Sequence, residues 1–413
     1  MVKTAIREGA AMTTGSVYKL IRDGKPVRRK DGSTIWCVDY KDAKGKRVAK
    51  STFRSKKEAD DWLANTKVDV KKGVHTPDRD SITVSEACDL WISHVDGLRE
   101  RSTVKQYKEH AELHIKPRLG SIKLSQLARA DVRGFETAMR KEASEAMAKK
   151  TLASLKALIN VAMDNGKVAQ NVALGVKAEA SGRKGGEAQV EESEIPSKDE
   201  INAMLAFTKD HYPEQYPLLV TAAFTGMRPS EWRGLAWDQV DLENRVVRVS
   251  QRADGWGTIG ETKTAKSVRN IPIGPNLYAV LAAWKLAQPM EERARGFVFP
   301  NGKGNPENIQ NLSQRFLNPM QAGNPNAKEG TQLRKGAGIV IGKGKDRKHK
   351  FTWYSLRHFF ASVLIDAGQD VVKVSRLLGH STPTVTLNVY AHLFDKKVSR
   401  HDAATAMEAA ILD

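Results

Sequence analysis

The feature that most constrains this chain is a charged, glycine-rich segment near its middle that no helix or strand pattern enters. Residues 180–195 read ASGRKGGEAQVEESEI and show no apolar periodicity. A segment of this composition connects folded regions and does not join a core. The chain has 413 residues, and an ordinary domain has about 100–200. The sequence therefore predicts separately packed regions, with a linker at 179–195.

A second break in the pattern lies at residues 75–80, which read HTPDRD and indicate another linker. Before it, the pattern predicts three short strands followed by a helix, at 16–20, 35–40, 47–53 and about 56–70. After it, apolar residues recur at helical spacing through 81–178, with helices at about 129–143 and 145–164. Pro117 predicts the end of an earlier helix in this region.

The positive charge is concentrated at the N-terminal end. The chain has 67 Lys and Arg against 48 Asp and Glu, a formal net charge of +19. Residues 1–75 contain 19 of the basic and 9 of the acidic residues, so they carry more than half of the excess. Such an excess predicts a polyanionic partner, and strands with basic and aromatic side chains suit a DNA groove. The alternative is a solvated basic surface without a specific partner.

Composition and motifs disfavour several classes of protein. No uncharged apolar run approaches the roughly 18–20 residues of a membrane span. Two cysteines are too few for a disulfide framework, so we expect a reducing, cytoplasmic compartment and no membrane partner. No phosphate-binding loop is present, so ATP use is not expected. His110 and His114 are four residues apart, but no third ligand is evident, and we expect two half-exposed helix histidines and no metal site.

The region after the linker carries basic and tyrosyl residues in short, distinctive contexts. It opens with a capping box from Ser197 to Glu200. The contexts then follow in the order TGMRPSEWRGL (225–235), ETKTAKS (261–267), WYSLRHFFAS (353–362), LLGHS (377–381) and TVTLNVYAHL (384–393). Each one alone would suit a surface or packing role. In this order and spacing they resemble the tyrosine recombinase family, in its phage-integrase type.

The resemblance implies a set of catalytic residues. Arg228 and Arg357 would offset the charge that builds on the phosphate, because guanidiniums have a fixed bidentate geometry. Tyr390 would attack the phosphorus and form a 3′-phosphotyrosyl bond. Lys263 would protonate the leaving 5′-oxygen, and His380 would hydrogen-bond the scissile phosphate.

Some of these assignments carry alternatives. Lys266 is the alternative to Lys263. The family usually has histidine three residues before Arg357, where this chain has Tyr354, and we expect Tyr354 to orient the other groups or to assist proton transfer. His358 is adjacent to Arg357, but on a helix its side chain points about 100° away from that of Arg357.

The resemblance also implies a multi-domain α+β fold. Residues 1–75, a small three-stranded sheet plus a helix, would form an arm-type DNA-binding domain. Residues 81–178 would form a helical-bundle, SAM-like core-binding domain. Residues 196–396 would form a mostly helical catalytic domain with a small antiparallel sheet. The tail, 397–413, would contact a neighbouring protomer, with a helix packed in cis as the alternative.

The implied activity is site-specific recombination of double-stranded DNA at core and arm attachment sites, integrating or excising a phage genome or mobile element without cofactor, metal or ATP. The implied partners are a homotetramer on DNA, a DNA-bending accessory protein and a directionality factor, in the nucleoid of a bacterial cell. Two alternatives stay open. One is type IB topoisomerase-like relaxation of DNA, and the other is a catalytically degenerate DNA-binding protein.

Overall fold

The computed structural model describes residues 15–179, 190–262, 267–342 and 346–395, and these fall into two compact units divided between residues 184 and 185. The predicted tail 397–413, most of the central linker, and Lys263 and Lys266 lie outside the described residues. Within the described residues helices predominate over small antiparallel sheets. The predicted α+β class is therefore confirmed.

The first unit begins with a small three-stranded antiparallel sheet and a short hairpin. Its strands are β1 (Gly15–Lys19), β2 (Ile21–Arg22), β3 (Lys25–Pro26), β4 (Trp36–Lys41) and β5 (Arg47–Phe53). β4 lies between β1 and β5, and β2 and β3 form a separate hairpin. Helix α1 (Lys56–Lys71) starts at Ser55, whose side chain accepts from the Glu58 N–H. The predicted strands and helix agree with these bounds to within a residue at each end.

The segment predicted as a linker at 75–80 is held by hydrogen bonds on both sides. The Asp78 carboxylate accepts from Lys50 Nζ of β5 at 2.9 Å and from Ser125 Oγ in the helical region at 2.7 Å. Burial alone would raise the pKa of Asp78, but these hydrogen bonds outweigh it and lower the pKa. The short polar side chains that break the periodicity are thus the ones that fix the segment.

A helical bundle follows. Its helices are α2 (Val84–Val95), α3 (Arg101–Glu109), α4 (Lys116–Leu119), α5 (Arg129–Glu142) and α6 (Glu145–Asp164). Their apolar faces form one core, separate from that of the sheet, with large buried residues that include Trp91, Ile115, Met139, Leu155 and Leu158. The predicted helices at 129–143 and 145–164 are confirmed.

Two local expectations in the bundle are wrong. Pro117 does not end its helix, because residues His110–Ile115 form a π-helical turn in which Lys116 N–H bonds to the Ala111 carbonyl. The hydrogen-bond ladder is therefore already shifted when the chain reaches the proline, and helical structure continues through Leu119. His110 is buried and not half-exposed, since its Nδ1 pairs with Ser154 Oγ of α6 at 2.8 Å.

The described residues of the second unit contain eleven more α-helices, apart from short 3-10 and π-helical turns. They are α7 (Lys198–His211), α8 (Tyr216–Thr225), α9 (Pro229–Arg233), α10 (Pro275–Ala287), α11 (Met290–Arg293), α12 (Ile309–Leu312), α13 (Asn318–Ala322), α14 (Gln332–Lys335), α15 (Trp353–Asp366), α16 (Val371–Leu378) and α17 (Pro383–Asp395), with the π-helical turn Ser313–Leu317 joining α12 to α13. The predicted capping box of Ser197 and Glu200 is present at the start of α7.

Its strands are short. They are β6 (Val240–Asp241), β7 (Val246–Val249), β8 (Gln251–Ala253), β9 (Ile259–Glu261), β10 (Arg269–Pro272), β11 (Val340–Ile341) and β12 (Lys348–His349). β7 lies between β10 and β6, and β8 pairs with β9 as a hairpin, all antiparallel. Most helices pack in one large core, while α15, α16 and α17 share a smaller cluster of Ala361, Ile365, Val374, Leu378 and Tyr390. In the part of the chain described, no helix is long and apolar enough to cross a bilayer.

Candidate active site

The first predicted arginine lies in the turn between α8 and α9. Gly226 has a φ of +60°, and a Cβ there would lie 2.3 Å from Cδ1 of Phe360, so the turn requires glycine. Arg228 follows as the N-cap of α9. Its Nη1 donates to Glu231 Oε1 at 2.8 Å, and its Nη2 donates to the Gly379 carbonyl at 3.0 Å. The turn thus directs this guanidinium towards the end of α16.

The second predicted arginine reaches the same place from α15. Arg357 is only 4% exposed. Its Nη1 donates to the Gly226 carbonyl at 2.8 Å, and its Nη2 donates to the Leu378 carbonyl at 2.7 Å. Burial and the nearby Arg228 lower the pKa of Arg357, but an arginine stays charged in a protein. The two guanidiniums are therefore held by the carbonyls of two consecutive residues, Leu378 and Gly379.

A buried carboxylate and a third arginine complete this cluster. Glu231 is 2% exposed and receives Arg269 Nη2 on Oε2 at 2.8 Å, beside its bond from Arg228. Arg269, at the start of β10, also donates to the Leu377 carbonyl at 2.7 Å. Burial alone would raise the pKa of Glu231, but Arg269 and Arg228 outweigh it, and the pKa is lowered. We call Arg228, Arg269, Arg357 and Glu231 the arginine cluster.

Sequence reasoning missed Arg269 and treated Glu231 only as part of a motif. Arg269 alternates with Ile271 on the buried face of β10, where a charge needs an acidic partner. That signal could have flagged it, although it could not have said which acidic residue is the partner.

The predicted histidine directly follows the end of α16, where Arg228 and Arg357 both contact backbone carbonyls. Gly379 ends α16 with a φ of +67°, and a Cβ there would lie 2.7 Å from Nη1 of Arg269. His380 Nδ1 is 2.8 Å from Thr386 Oγ1. Burial lowers the pKa of His380 to about 3, and the positive charges of Arg357 and Arg228 add to this effect. The imidazole is therefore neutral at neutral pH.

The predicted nucleophile is buried. Tyr390 lies on α17 and is 1% exposed within the cluster shared by α15, α16 and α17. Its hydroxyl is 2.8 Å from Nδ1 of His358, and the two rings meet edge to face with centroids 5.8 Å apart. Burial raises the pKa of Tyr390 to about 12, against the opposing effect of Arg357.

His358 is the second residue that sequence reasoning missed. Its side chain leaves α15 in a different direction from that of Arg357. That direction leads to Tyr390. Burial and Arg357 lower the pKa of His358 to about 4. Tyr354, one turn earlier on α15, is 53% exposed. The structure therefore brings His358, and not Tyr354, to the tyrosine hydroxyl.

The predicted lysine cannot be placed. Lys263 and its alternative Lys266 lie outside the described residues, between the end of β9 and Ser267. Across the residues that are described, no group of three or more His, Cys, Asp or Glu side chains could hold a metal ion.

Comparison with known families agrees with this geometry. Residues 196–397 match the Phage integrase family, and residues 83–139 match the phage integrase N-terminal SAM-like domain. Together these matches cover well over half of the chain. The chain belongs to the phage integrase family. Its members are tyrosine recombinases, enzymes that cleave and rejoin DNA strands, and the predicted family and activity class are confirmed.

Individual relatives extend the likeness over most of the chain. A tyrosine recombinase XerC-like protein of Caldanaerobacter subterraneus subsp. tengcongensis is 25% identical over 374 residues, which are 86% of this chain and 91% of that protein. The structure of the Tn1549 transposon integrase in complex with transposon right end DNA has a TM-score of 0.60 at 22% identity, over 80% of this chain and 99% of that one. A lambda integrase tetramer bound to a Holliday junction has a TM-score of 0.55 at 16% identity, over 88% and 98%. The two structures share this fold.

Proposed function

We propose that this chain is a site-specific integrase that cleaves and rejoins double-stranded DNA through a 3′-phosphotyrosyl bond at Tyr390. One observation carries the proposal. Arg228 donates to the Gly379 carbonyl and Arg357 donates to the Leu378 carbonyl, although the two arginines lie far apart in sequence. These are the two carbonyls that precede His380, and α17 follows with Tyr390. This is the arrangement that a metal-free attack on a phosphodiester needs, with fixed cations beside a nucleophile.

The arginines are proposed to stabilise the pentacovalent transition state. Their bonds to carbonyls hold both guanidiniums in place before DNA arrives, so little reorganisation is needed when charge develops on the phosphate. A guanidinium has more N–H donors than these bonds use, and the remaining donors of Arg228 and Arg357 would bond the phosphate oxygens once DNA binding opens the buried Arg357.

The neutral His380 is proposed to donate to a phosphate oxygen. When the Thr386 hydroxyl donates to Nδ1, the ring proton lies on Nε2, which can then donate to the phosphate. Tyr354, half exposed on the first turn of α15, is proposed to orient the phosphate through its hydroxyl. Lys263, with Lys266 as the alternative, is proposed as the general acid for the leaving 5′-oxygen.

The burial of Tyr390 implies a movement. A hydroxyl on a side chain that is 1% exposed cannot reach a DNA phosphate in the observed arrangement. We infer that DNA binding shifts α17, which packs on the smaller of the two apolar clusters in this unit. Cleavage would then follow only when DNA is bound.

The other regions are proposed to bind DNA and other protomers. The separate cores of residues 1–75 and 81–178 support an arm-binding domain and a core-binding domain upstream of a catalytic domain at 196–396. The lambda integrase tetramer supports a homotetramer on DNA, with the tail 397–413 contacting a neighbour. A DNA-bending protein, a directionality factor and a nucleoid location complete the proposal.

The decisive experiment traps the covalent intermediate. The probe is a nicked duplex whose core sequence is selected from a random pool by binding to the full chain. Without metal or ATP, the wild type should form a denaturant-resistant adduct and Tyr390→Phe should form none. Tyr278→Phe is the matched control in the same unit, and it should retain the adduct.

Each alternative function has its own outcome. Site binding without an adduct in the wild type would indicate a degenerate DNA-binding protein. Relaxation of supercoiled plasmid that lacks the selected sequence would indicate topoisomerase-like activity. An adduct that persists in Tyr390→Phe would contradict the assignment of the nucleophile.

A further inference from the structure

We propose that His358 is the general base that accepts the proton of the Tyr390 hydroxyl during strand cleavage. The inference rests on the proposed function. It names the acceptor of the Tyr390 proton, which the family matches do not assign.

The geometry is that of a poised proton transfer. His358 Nδ1 and Tyr390 Oη are 2.8 Å apart, within the distance at which a phenol donates to an imidazole nitrogen. The two rings meet edge to face, with an interplanar angle of 63°. The burial of Tyr390 in the apolar cluster excludes water from this contact. For this transfer, the shift of α17 on DNA binding has to bring Tyr390 to the phosphate without breaking this contact, so that the proton keeps a defined acceptor on α15.

Other groups of α15 near the tyrosine are poor acceptors. Arg357 stays protonated and has no acceptor atom. Tyr354 is 53% exposed on the first turn of α15, and no contact joins its hydroxyl to Tyr390 in the described residues. The imidazole of His358 is neutral at neutral pH, because burial and Arg357 lower its pKa. Its Nδ1 lone pair is thus available when the tyrosine hydroxyl donates to it.

DNA binding would strengthen this base. A bound phosphate places negative charge beside Arg228 and Arg357, which offsets the repulsion that now disfavours a cationic His358. The imidazole therefore becomes more basic when the scissile phosphate is in place. The same cations favour the tyrosinate that forms as the proton leaves.

The step balances in atoms and charge. The bond from Tyr390 Oη to phosphorus forms as the bond from phosphorus to the 5′-oxygen breaks. The Oη proton moves to His358 Nδ1, and the leaving 5′-oxygen takes a proton from Lys263 in the role proposed above. On rejoining, a 5′-hydroxyl attacks the phosphotyrosine, its proton passes to the lysine, and His358 returns its proton to Tyr390.

The test replaces His358 with asparagine, which keeps a polar atom near the position of Nδ1 but has no basic nitrogen. His358→Asn should bind the selected duplex like the wild type and cleave it at least about 100-fold more slowly, the lower end of the usual effect of a general base. His110→Asn is the matched control, since it removes another buried contact of 2.8 Å between Nδ1 and a hydroxyl. It should cleave at the wild-type rate.

A modified substrate separates the base from the acid. With sulfur in place of the bridging 5′-oxygen, the leaving group no longer needs a proton. Lys263→Ala should then regain cleavage, while His358→Asn should stay slow, because the nucleophile still has to lose its proton. Recovery of His358→Asn on the sulfur substrate would overturn the proposal, since it would place His358 on the leaving-group side.

Tyr354→Phe completes the comparison and should lower the cleavage rate by less than about 10-fold. A severe loss in Tyr354→Phe, with His358→Asn cleaving like the wild type, would assign the proton to Tyr354 and overturn the inference. These results differ from a failure of the proposed function, in which the wild type itself forms no adduct. Thermal unfolding of each variant shows whether slow cleavage reflects loss of the folded state.

Discussion

The arginine cluster and the tyrosine side of the site, formed by His358, His380, Thr386 and Tyr390, are held in different ways. In the arginine cluster the three guanidiniums are bonded to the buried Glu231 carboxylate or to backbone carbonyls from another part of the fold. On the tyrosine side each histidine instead pairs with one hydroxyl on α17, and neither of these two contacts is an ion pair. The first half is therefore rigid before DNA binds, and the second half can move.

The difference matches what each half has to do. Transition-state charge is stabilised best by dipoles and cations that do not need to reorganise. Tyr390, the proposed nucleophile, is buried and must change position when DNA binds. Such a movement requires contacts that break at a small cost in free energy. Substitutions in the two halves should therefore differ in their effects on chemistry and on folding.

The largest effect is expected for Arg357→Lys. Lysine has one charged centre and cannot donate to two carbonyls in the fixed geometry of a guanidinium. The rate of adduct formation should fall by about 1,000-fold, comparable to the loss of an oxyanion-stabilising donor. The rate on the nicked duplex, measured with saturating protein, tests this expectation.

Arg233→Lys is the control for Arg357→Lys. Arg233 is also buried and donates to the carbonyls of Asp254, at 3.0 Å, and Glu307, outside the arginine cluster. It should lose stability without a comparable loss of cleavage. Equal slowing in both variants would mean that folding, and not chemistry, explains the effect.

A smaller effect is expected for Glu231→Gln. The amide cannot hold two guanidiniums by charge, so cleavage should slow by about 10- to 100-fold and the free energy of unfolding should fall by about 3 kcal/mol at neutral pH. Urea unfolding and adduct kinetics measure the two effects. Glu200→Gln, which alters a half-buried carboxylate in the capping box of α7, should leave cleavage unchanged.

The effect of Glu231 on stability should depend on pH. Because its pKa is lowered in the folded protein, its stabilisation is complete above its ordinary pKa of 4.5 and is lost as the pH falls through the folded value. The difference in unfolding free energy between the wild type and Glu231→Gln should therefore shrink on acidification below about pH 4.5. A difference that grew on acidification would contradict an ionised Glu231.

The smallest effect is expected for Thr386→Val on the tyrosine side. The substitution keeps the shape but removes the hydroxyl that pairs with His380 Nδ1. Cleavage should slow by about 5- to 10-fold, and stability should fall by about 1 kcal/mol. Thr221→Val, which removes a buried hydroxyl bonded to Pro217 within α8, should cost similar stability and leave cleavage unchanged. A loss as large as that of Arg357→Lys would remove the distinction between the two halves.

Local patterns in the sequence determined most of the elements. The strand 47–53, the capping box at Ser197 and the helices around 129–164 could be predicted because their periods and caps depend on neighbouring residues. The family motifs likewise identified Arg228, Arg357, His380 and Tyr390 as a set. The expectation that Pro117 ends its helix was wrong. That expectation assumes α-helical hydrogen bonds before the proline, and a π-helical turn replaces them here.

The tertiary structure alone decided which distant groups meet. Arg269 and Glu231 are 38 residues apart in sequence, and His358 and Tyr390 are 32 apart. Periodicity indicates which face of a helix or strand is buried, but packing between elements selects the partner on the other side. The sequence by itself therefore determined the family and its kind of chemistry, while the packing of α15 against α17 decided that His358 faces Tyr390, the proposed nucleophile.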